Sequence, residues 1–429
     1  MLRDGGRSVA ASLAPARVGA AHGALESAVG WLCASHDVTG RQGSSKGFSL
    51  LHGWRPAYPE TTGYVLGTLL EYAGRAGSRA DLVQRAVEMG DWEARMQERD
   101  GGIMEGHVRT VPRRSIVFNT GMVLHGWLDL TEAGLGDYQE AAARASRFLT
   151  ANMRGDGTWD PRYEFGGQPH TYNSRVAWAM LRWGLRAGDE AAVEAARVQL
   201  DWVCSRQQEN GWFANAVFTT AMSAPSTHAI AYTMRGLLES FSLTGESRWL
   251  NAVLRPAQAL MLVLERTARL PANYDHDWRP AAAHSCLTGT VQLGGVWLRL
   301  YQETGDARWL QAGLRAVEQV AGRQERVHWP PVRGAIAGSF PVWGRYAPLQ
   351  YPNWATKFLA DGLMLYDDCL VGSTVRGVGS VAPGPRAQPT PTSTATRTPT
   401  PTPADGPPAG ADAVASNSGG AGRPLPATG

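Results

Sequence analysis

FNTGMVLHGWLDL, at residues 118–130, opens with a Thr-Gly pair close to its start and continues as an apolar helix. ETTGYVLGTLLEY at 60–72 and CLTGTVQLGGVWLRLY at 286–301 repeat that arrangement. Such a recurrence predicts an internal repeat, and the repeat decides the fold. Glycine permits close approach of two backbones, and threonine can cap a helix. We therefore predict that Thr62-Gly63, Thr120-Gly121 and Thr288-Gly289 occupy equivalent first turns of three helices.

Helical periodicity continues through most of the first 368 residues, and alternating strand patterns are scarce. Odd-numbered helices carry charged faces, whereas even-numbered ones are nearly uncharged over their first three turns, which is typical of buried helices. The twelve predicted helices lie roughly at 23–35, 60–75, 80–97, 115–133, 137–152, 171–187, 189–207, 226–244, 246–266, 286–304, 306–323 and 353–368.

The connections between these helices alternate in length. Even-to-odd connections are short and combine glycine with an acid, as in AGDE at 187–190, TGES at 244–247 and TGDA at 304–307. This pattern predicts a C-terminal glycine followed by an N-cap residue. Most odd-to-even connections are long and aromatic, which favours a functional role. Six hairpins of one outer and one inner helix close most simply as an all-α (α/α)6 toroid, with the odd-to-even connections at one end.

This organisation resembles that of six-hairpin glycosidase-like proteins and of the related terpenoid-cyclase and prenyltransferase toroids. The resemblance covers about residues 23–368 and depends on the repeat and on loops such as QQENGWF at 207–213 and GDGTWD at 155–160. It implies the toroid fold and a site over the N-termini of the inner helices. It does not select one activity, because one fold hosts many functions.

Composition excludes several classes of function. The net charge is only +3 and no basic block stands out, so we predict no nucleic-acid partner. No apolar run has the roughly 18 residues of a membrane helix. The four cysteines are scattered, so we predict no metal and no cofactor. Lysines and arginines total 41, yet Lys46 and Lys357 are the two lysines, a scarcity that we attribute to codon usage in a GC-rich genome.

The sequence predicts three parts: an N-terminal extension at 1–22, the toroid at 23–370 and a disordered tail rich in Pro, Thr, Gly and Ala at 371–429. The first residues lack a strong apolar signal-peptide core, which favours a cytoplasmic location. The Thr/Pro-rich tail and its terminal LPATG, which resembles a sortase signal, leave a secreted or cell-surface location open. The oligomeric state is not predicted.

Carbohydrate chemistry fits the aromatic mouth loops best, because pyranose faces stack on Trp and Tyr while polar groups fix their orientation. Glycoside hydrolysis also needs two carboxylates that flank the scissile bond. Six acids lie in or beside the predicted mouth loops: Glu60, Glu105, Asp160, Glu164, Asp275 and Asp277. Of these, Glu105, Asp275 and Asp277 are the candidate catalytic acids. The candidate substrate-binding residues are Trp54, Tyr58, Glu60, Asn119, His170, Tyr232, Trp278, His284, Trp343 and Trp354.

A second group of candidate catalytic residues lies on the predicted inner helices. Tyr172 and Arg175 are three residues apart, and His228 and Tyr232 are four apart, so each pair shares a helical face. A buried arginine needs an anion, either a core acid or a substrate carboxylate. With Tyr172 or His228 moving a proton, the group resembles the sites of uronate lyases and sugar epimerases. We predict that Arg175 points into the central cavity near Tyr172, His228 and His284.

Hydrolase, lyase and epimerase chemistry on a poly- or oligosaccharide all remain open at this stage. A terpenoid or prenyl toroid is the alternative enzyme class, although squalene-type cyclisation needs a D-x-D-D cluster and the nearest stretch, YDHDW at 274–278, lacks the adjacent acids. A non-catalytic glycan-binding or scaffold protein is the third alternative.

Overall fold

The computed structural model describes residues 5–77, 79–218 and 224–376, with side chains from residue 21 to residue 371. Within these ranges it contains twelve α-helices: α1 (Gly5–Asp37), α2 (Pro59–Arg75), α3 (Ala80–Met96), α4 (Val117–Glu132), α5 (Gln139–Ala151), α6 (Ser174–Ala187), α7 (Glu190–Ser205), α8 (Thr227–Thr244), α9 (Ser247–Thr267), α10 (Leu287–Thr304), α11 (Ala307–Ala321) and α12 (Asn353–Arg376).

The even-numbered helices form a closed inner ring in which α2, α4, α6, α8, α10 and α12 follow one another and α12 returns to α2. Each odd-numbered helix packs outside this ring: α3 on α2, α5 on α4, α7 on α6, α9 on α8, α11 on α10 and α1 on α12. The fold is therefore the (α/α)6 toroid that the sequence predicts, and its last pair unites the first and last described helices.

Two helices are longer than their sequence patterns indicate. α1 begins at Gly5 rather than near residue 23, and α12 continues to Arg376 rather than 368. The added part of α1 is rich in alanine, which favours a helix without supplying the large apolar residues that the periodicity search relies on. Residues 377–429, with the predicted disordered tail and the terminal LPATG, lie outside the described residues.

The Thr-Gly glycines allow the inner helices to approach closely, as predicted. A Cβ atom on Gly63 would lie 2.6 Å from Val123 Cα of α4, and one on Gly289 would lie 2.6 Å from His228 N of α8. A Cβ atom on Gly121 would lie 2.8 Å from the side chain of Val176 in α6. Any larger residue at these positions would force neighbouring helices apart.

The prediction that the threonines cap these helices is wrong. Instead, the Thr62 hydroxyl donates to Tyr58 O at 2.9 Å and accepts from Ser44 N at 2.8 Å. Thr120 makes the same two kinds of bond with the loop before α4. The hydroxyl therefore fixes the preceding connection on the inner helix. The N-cap residues of α2, α4 and α10 are Tyr58, Ile116 and Cys286.

The short even-to-odd connections agree with the sequence pattern. Gly188, Gly245 and Gly305 end α6, α8 and α10 in the left-handed conformation, with φ of 68°, 75° and 72°. Asp189 and Asp306 then accept backbone hydrogen bonds as N-caps of α7 and α11. Glycine and acid at these sites therefore set the tight turn from each inner helix to its outer partner.

The six odd-to-even connections, residues 38–58, 97–116, 152–173, 206–226, 268–286 and 322–352, lie at the N-terminal ends of the inner helices. They contain three 3₁₀-helices, Pro161–Tyr163, Phe165–Gly167 and Thr171–Asn173. They also contain seven short strands: β1 (Gly47–Ser49), β2 (Gly53–Trp54), β3 (Ile103–Met104), β4 (Ser115–Ile116), β5 (Ser285–Cys286), β6 (Ser339–Phe340) and β7 (Gln350–Pro352).

Several neighbouring connections bond to one another at this end, which we call the mouth. β1 pairs antiparallel with β2 and β7, β5 pairs with β6, and β3 pairs with β4 in a hairpin. Thr171 N donates to Asn215 O, and Thr227 N donates to Ala272 O. The loops that carry GDGTWD and YDHDW are thus joined through the 206–226 connection, as the toroid prediction requires. No described helix is both long and apolar enough to cross a bilayer.

Candidate active site

A half-buried carboxyl group, that of Glu60 in the first turn of α2, lies at the mouth. Tyr58 Oη donates to Glu60 Oε2 at 2.7 Å, and Tyr64 Oη lies 3.5 Å from Oε1. Burial raises the pKa of Glu60, although both phenols and the charge of Lys46 oppose that rise. The carboxyl group therefore keeps its proton to a higher pH than an exposed glutamate does.

Lys46 is the cation next to this carboxyl. Its Nζ atom lies 4.8 Å from the centre of the Tyr58 ring and 6.0 Å from that of Trp354. Burial lowers its pKa, while the charge of Glu60 opposes that change. Burial therefore disfavours the charged form of both groups, and the charge of each partly offsets that effect on the other.

Sequence reasoning missed Lys46, although a signal was present. Lys46 and Lys357 are the two lysines of an arginine-rich chain, and we attributed their scarcity to codon usage. Both lie against aromatic rings of the inner helices, and burial lowers the pKa of both. An ammonium is a compact point charge, whereas a guanidinium is a planar fork, so arginine would not replace lysine at these two places without changing the contact.

A second carboxylate, Glu105, comes from the connection that ends at α4. Arg114 Nε donates to Glu105 Oε2 at 3.1 Å, and the side chain is partly exposed. Burial is the largest cause of the raised pKa of Tyr58 and Tyr172, and both Glu60 and Glu105 add to that rise. The two carboxylates are therefore within electrostatic reach of the same two phenols.

Aromatic rings form the wall behind these groups. The Tyr172 ring stacks on His170 at 4.5 Å and meets the edge of Phe118 at 5.0 Å. Tyr232 lies 5.4 Å from Phe118 and 4.3 Å from His228. A wall of this kind matches the apolar face of a sugar ring.

His228 bonds to Gln292. Its Nδ1 atom lies 2.5 Å from Gln292 Oε1, and with that oxygen as the acceptor Nδ1 carries the proton and Nε2 carries the lone pair. Burial lowers its pKa to about 3, and the charge of Arg175 contributes to that shift. His228 is thus a hydrogen-bond acceptor at neutral pH.

A cleft of about 620 Å³ lies between the connections at 206–226, 268–286 and 322–352. Phe218 and Tyr346 line it, and their rings lie 5.1 Å and 5.4 Å from that of His228. The cleft therefore extends from the aromatic wall toward the rim. Its polar side chains include Asn273, His284 and Arg345.

Arg175 lies deeper than the mouth groups. Its guanidinium carbon is 4.8 Å from the centre of the Tyr232 ring, which also contacts His228 on the mouth side. No described acid forms an ion pair with it, so the core-acid partner considered from the sequence is not found there. Burial lowers its pKa. The aromatic rings that face its guanidinium are those of Tyr232, Trp178, Phe358 and Tyr64. The sequence instead predicts Tyr172, His228 and His284 as its neighbours.

The structure places Asp275 and Asp277 in a surface turn. Asp275 Oδ1 accepts from Asp277 N at 3.0 Å and from Arg279 N at 2.8 Å, and Asp277 pairs with the Arg279 side chain at 3.1 Å. These acids stabilise their own loop and are not brought together with Glu60. The stretch that came nearest to a terpenoid-cyclase motif thus has a local structural role.

Of the four tryptophans predicted to bind substrate, Trp354 lies at the mouth beside the cleft, and the other three have different environments. Trp354 Nε1 donates to Tyr346 Oη at 2.7 Å. This bond joins the cleft, which Tyr346 lines, to the two rings near Lys46, those of Tyr58 and Trp354. Trp54 packs on Trp31 at 5.3 Å, toward the outer helix α1. Trp278 is buried and donates to Asn210 O at 3.0 Å. Trp343 is 71% exposed.

Two other polar residues predicted to bind substrate, Asn119 and His170, instead bond to backbone carbonyl groups of the mouth connections. Asn119 Nδ2 donates to Met104 O at 2.7 Å, and His170 Nε2 lies 2.7 Å from Phe165 O. Among the residues that the structure describes, no group of three His, Cys, Asp or Glu side chains is placed to hold a metal ion.

No protein-family model and no curated protein matches the chain, but solved structures do. An unsaturated glucuronyl hydrolase specific for heparin superposes with a TM-score of 0.64 at 13% identity, over 82% of this chain and 97% of that one. An unsaturated glucuronyl hydrolase of glycosaminoglycan degradation, from Bacillus sp. GL1, gives 0.62 at 14%, over 80% and 95%. Cellobiose 2-epimerase from Bacillus thermoamylovorans gives 0.62 at 12%, over 82% and 99%. At such identities the likeness shows the toroid fold.

Proposed function

We propose that the protein is a carbohydrate-active enzyme of glycoside hydrolase type, with Glu60 as the general acid and Glu105 as the second carboxylate. The observation that carries the proposal is the contrast between these two side chains. Burial raises the pKa of Glu60, whereas Glu105 is ion-paired with Arg114 near the rim. Two carboxyl groups in unlike environments are the arrangement that glycoside hydrolysis uses.

In this proposal the protonated Glu60 gives its proton to the glycosidic oxygen as the bond to the anomeric carbon breaks. Glu105 activates a water molecule or attacks the anomeric carbon itself, since both routes need an ionised carboxylate. Tyr58 orients Glu60 through its 2.7 Å hydrogen bond. The positive charge of Lys46 favours the carboxylate that proton transfer leaves behind.

The sugar class is also a proposal. Tyr58, Trp354 and Tyr346 provide flat rings between Glu60 and the cleft, and Arg345 places a cation on the cleft wall. A cation beside such a platform suits an oligosaccharide that carries a carboxylate. Two of the structurally similar proteins are glucuronyl hydrolases, which supports that class.

An epimerase is the second candidate function, and neutral His228 favours it. In an epimerase a base removes the proton next to the sugar carbonyl and an acid returns one to the other face. His228 has a free Nε2 lone pair against the same aromatic wall, and cellobiose 2-epimerase shares the fold.

Incubation of the purified protein with neutral and uronic oligosaccharides in D₂O separates these reactions. New reducing ends without an unsaturated product support the hydrolase, and an unsaturated uronate indicates a lyase instead. Deuterium incorporation without cleavage selects the epimerase. Binding without any of these products would contradict the enzymatic proposal and favour a glycan-binding protein.

Substitution of the two acids tests the assignment of roles. Glu60→Gln and Glu105→Gln should each lower kcat about 100-fold or more, because general acid–base catalysis contributes 10² to 10⁴-fold. Asp277→Asn, which removes an acid from the surface turn, is the matched control. The activity of the parent should fall as the pH rises through the raised pKa of Glu60, since the protonated form is the donor. An unchanged rate in Glu60→Gln would rule out this assignment.

A further inference from the structure

A second cavity, of about 620 Å³, lies toward the C-terminal ends of the inner helices, opposite the mouth. Glu71 of α2, Glu132 of α4, Arg182 of α6 and Ser242 of α8 line it near those ends. Neither the proposed hydrolase nor the proposed epimerase uses this space. We call it the far cavity.

Most charges on its wall are paired. Arg182 Nη2 lies 2.8 Å from Asp129 Oδ1 and 2.9 Å from Glu132 Oε2. Lys357 of α12 forms an ion pair with Asp361, which also accepts a 2.7 Å hydrogen bond from Thr68 Oγ1. Paired groups of this kind hold the inner helices together and offer polar edges to a ligand.

Arg175 differs from these groups because it lines the same cavity without a partner. It is 5% exposed, its Nε atom has no hydrogen-bond partner, and no described acid forms an ion pair with its guanidinium. Tyr232 and Phe358 face it at 4.8 Å and 5.7 Å. Aromatic faces attract a cation, but they do not accept the planar, forked hydrogen bonds that a guanidinium donates.

The charges that line the far cavity are of both signs: the acids are Glu71, Asp129, Glu132, Glu239 and Asp361, and the cations are Arg175, Arg182, Arg235 and Lys357. Lys357 and Arg175 both act on Asp361, whose single charge already pairs with Lys357. Arg235 lies 2.7 Å from Glu239, which Arg299 shares at 2.9 Å. Asp361 and Glu60 thus act on Arg175 electrostatically, but no described acid forms an ion pair with it and its Nε atom has no hydrogen-bond partner.

We propose that the far cavity binds a small hydroxylated oxyanion, a sugar acid or a sugar phosphate, whose anionic group takes the forked hydrogen bonds of Arg175. The paired acids and Thr68 on the wall suit the hydroxyl groups of the same ligand. Trp178, whose ring lies 4.3 Å from that of His125 and which lines the cavity, offers a flat face for the ring of the ligand. The site is distinct from the mouth cleft, since the two cavities have no lining residue in common.

Isothermal titration calorimetry of the full chain with D-glucuronate, glucose 6-phosphate, inorganic phosphate and neutral glucose tests this site. We expect an anionic sugar to bind and glucose not to bind, and the comparison of glucuronate with the phosphates identifies the anionic group. Arg175→Gln should weaken that binding tenfold or more, because a buried partner loses its charge pair. Arg175→Lys should bind more weakly than the parent, since the fork is lost.

Two further variants are controls. Arg186→Gln removes an exposed charge from the last turn of the same helix and should leave anion binding unchanged. Arg345→Gln removes the cation of the mouth cleft and separates the two cavities, because binding at the far cavity should persist in it and binding at the mouth should not. If Arg175→Gln does not fold by circular dichroism, Arg175→Lys and Lys357→Met take its place. The proposal is overturned if no anionic probe binds the parent, or if Arg345→Gln abolishes binding that the Arg175 variants retain.

Discussion

Three glutamates near the mouth show how surroundings, rather than residue type, set the role of a side chain. Glu60 is half-buried beside two phenols, and Glu105 is held by Arg114. Glu164 is 2% exposed, and both of its oxygens lie about 3 Å from Asn173 Nδ2. The sequence predicts that all three lie in mouth loops, but it cannot distinguish them because burial depends on what other loops place over them.

Glu164 provides a prediction about stability. Burial raises its pKa from 4.5 to about 8. Between those values the folded protein holds this proton and the unfolded chain releases it, so stability falls as the pH rises through that window. Asn173 Oδ1 has no partner, and rotation of its amide would let it accept from the protonated carboxyl. We expect the free energy of unfolding of the parent to fall, relative to Glu164→Gln, by on the order of 3 kcal/mol from pH 5 to pH 8.

Urea titrations at several pH values measure this difference, and the comparison of variants cancels the other groups that titrate in the window. Glu190→Gln, which changes an exposed carboxyl in the first turn of α7, is the control and should follow the parent. Equal pH dependence in the parent and in Glu164→Gln would show that Glu164 is ionised when folded.

At the scale of elements, the sequence predicts what repeats and misses what depends on contacts between helices. All twelve helices follow from periodicity, and the short turns follow from glycine and acid pairs. The helical face of Arg175 is predictable too, but its surroundings are not, because Tyr64, Tyr232 and Phe358 come from three other helices. The roles of Thr62 and Thr120 were missed for a similar reason, since each hydroxyl bonds a loop that the pattern does not place.

The contact between α2 and α4 gives a prediction at this scale. A Cβ atom on Gly63 would lie 2.6 Å from Val123 Cα and 2.9 Å from Met122 O, which are backbone atoms that cannot turn aside. Gly63→Ala should therefore lower the free energy of unfolding by about 1–3 kcal/mol, a typical cost of overpacking. Gly74→Ala, on the same helix with open space around it, should raise it by about 0.5–1 kcal/mol. Thermal or urea unfolding measures both, and a stabilised Gly63→Ala would contradict the close approach.

At the scale of the whole molecule, the toroid must join its last inner helix to its first. The sequence predicts that the ring closes, because in a row of six similar hairpins the first and the last would each lack one neighbour. It does not predict which residues make the closing contacts. Asn353, the first residue of α12, forms the closing hydrogen bonds. Its Nδ2 atom donates to Ser44 Oγ at 3.0 Å and to Thr61 Oγ1 at 2.8 Å. Its backbone N donates to Lys46 O at 3.1 Å, so the closure also positions the lysine of the mouth.

Closure through Asn353 can be tested by a double-mutant cycle. Asn353 is fully buried, and Asn353→Ala removes both side-chain hydrogen bonds, so we expect a loss of about 1–3 kcal/mol in the free energy of unfolding. Thr61→Val removes one of the same bonds from the other side, and the double variant should therefore lose less than the sum of the two single variants. Asn251→Ala, on the exposed face of α9, is the control and should stay within about 0.5 kcal/mol of the parent. Strict additivity would mean that the two residues do not act on each other. A parent-like Asn353→Ala would mean that the ring closes through the apolar contacts of α12 and α2 alone.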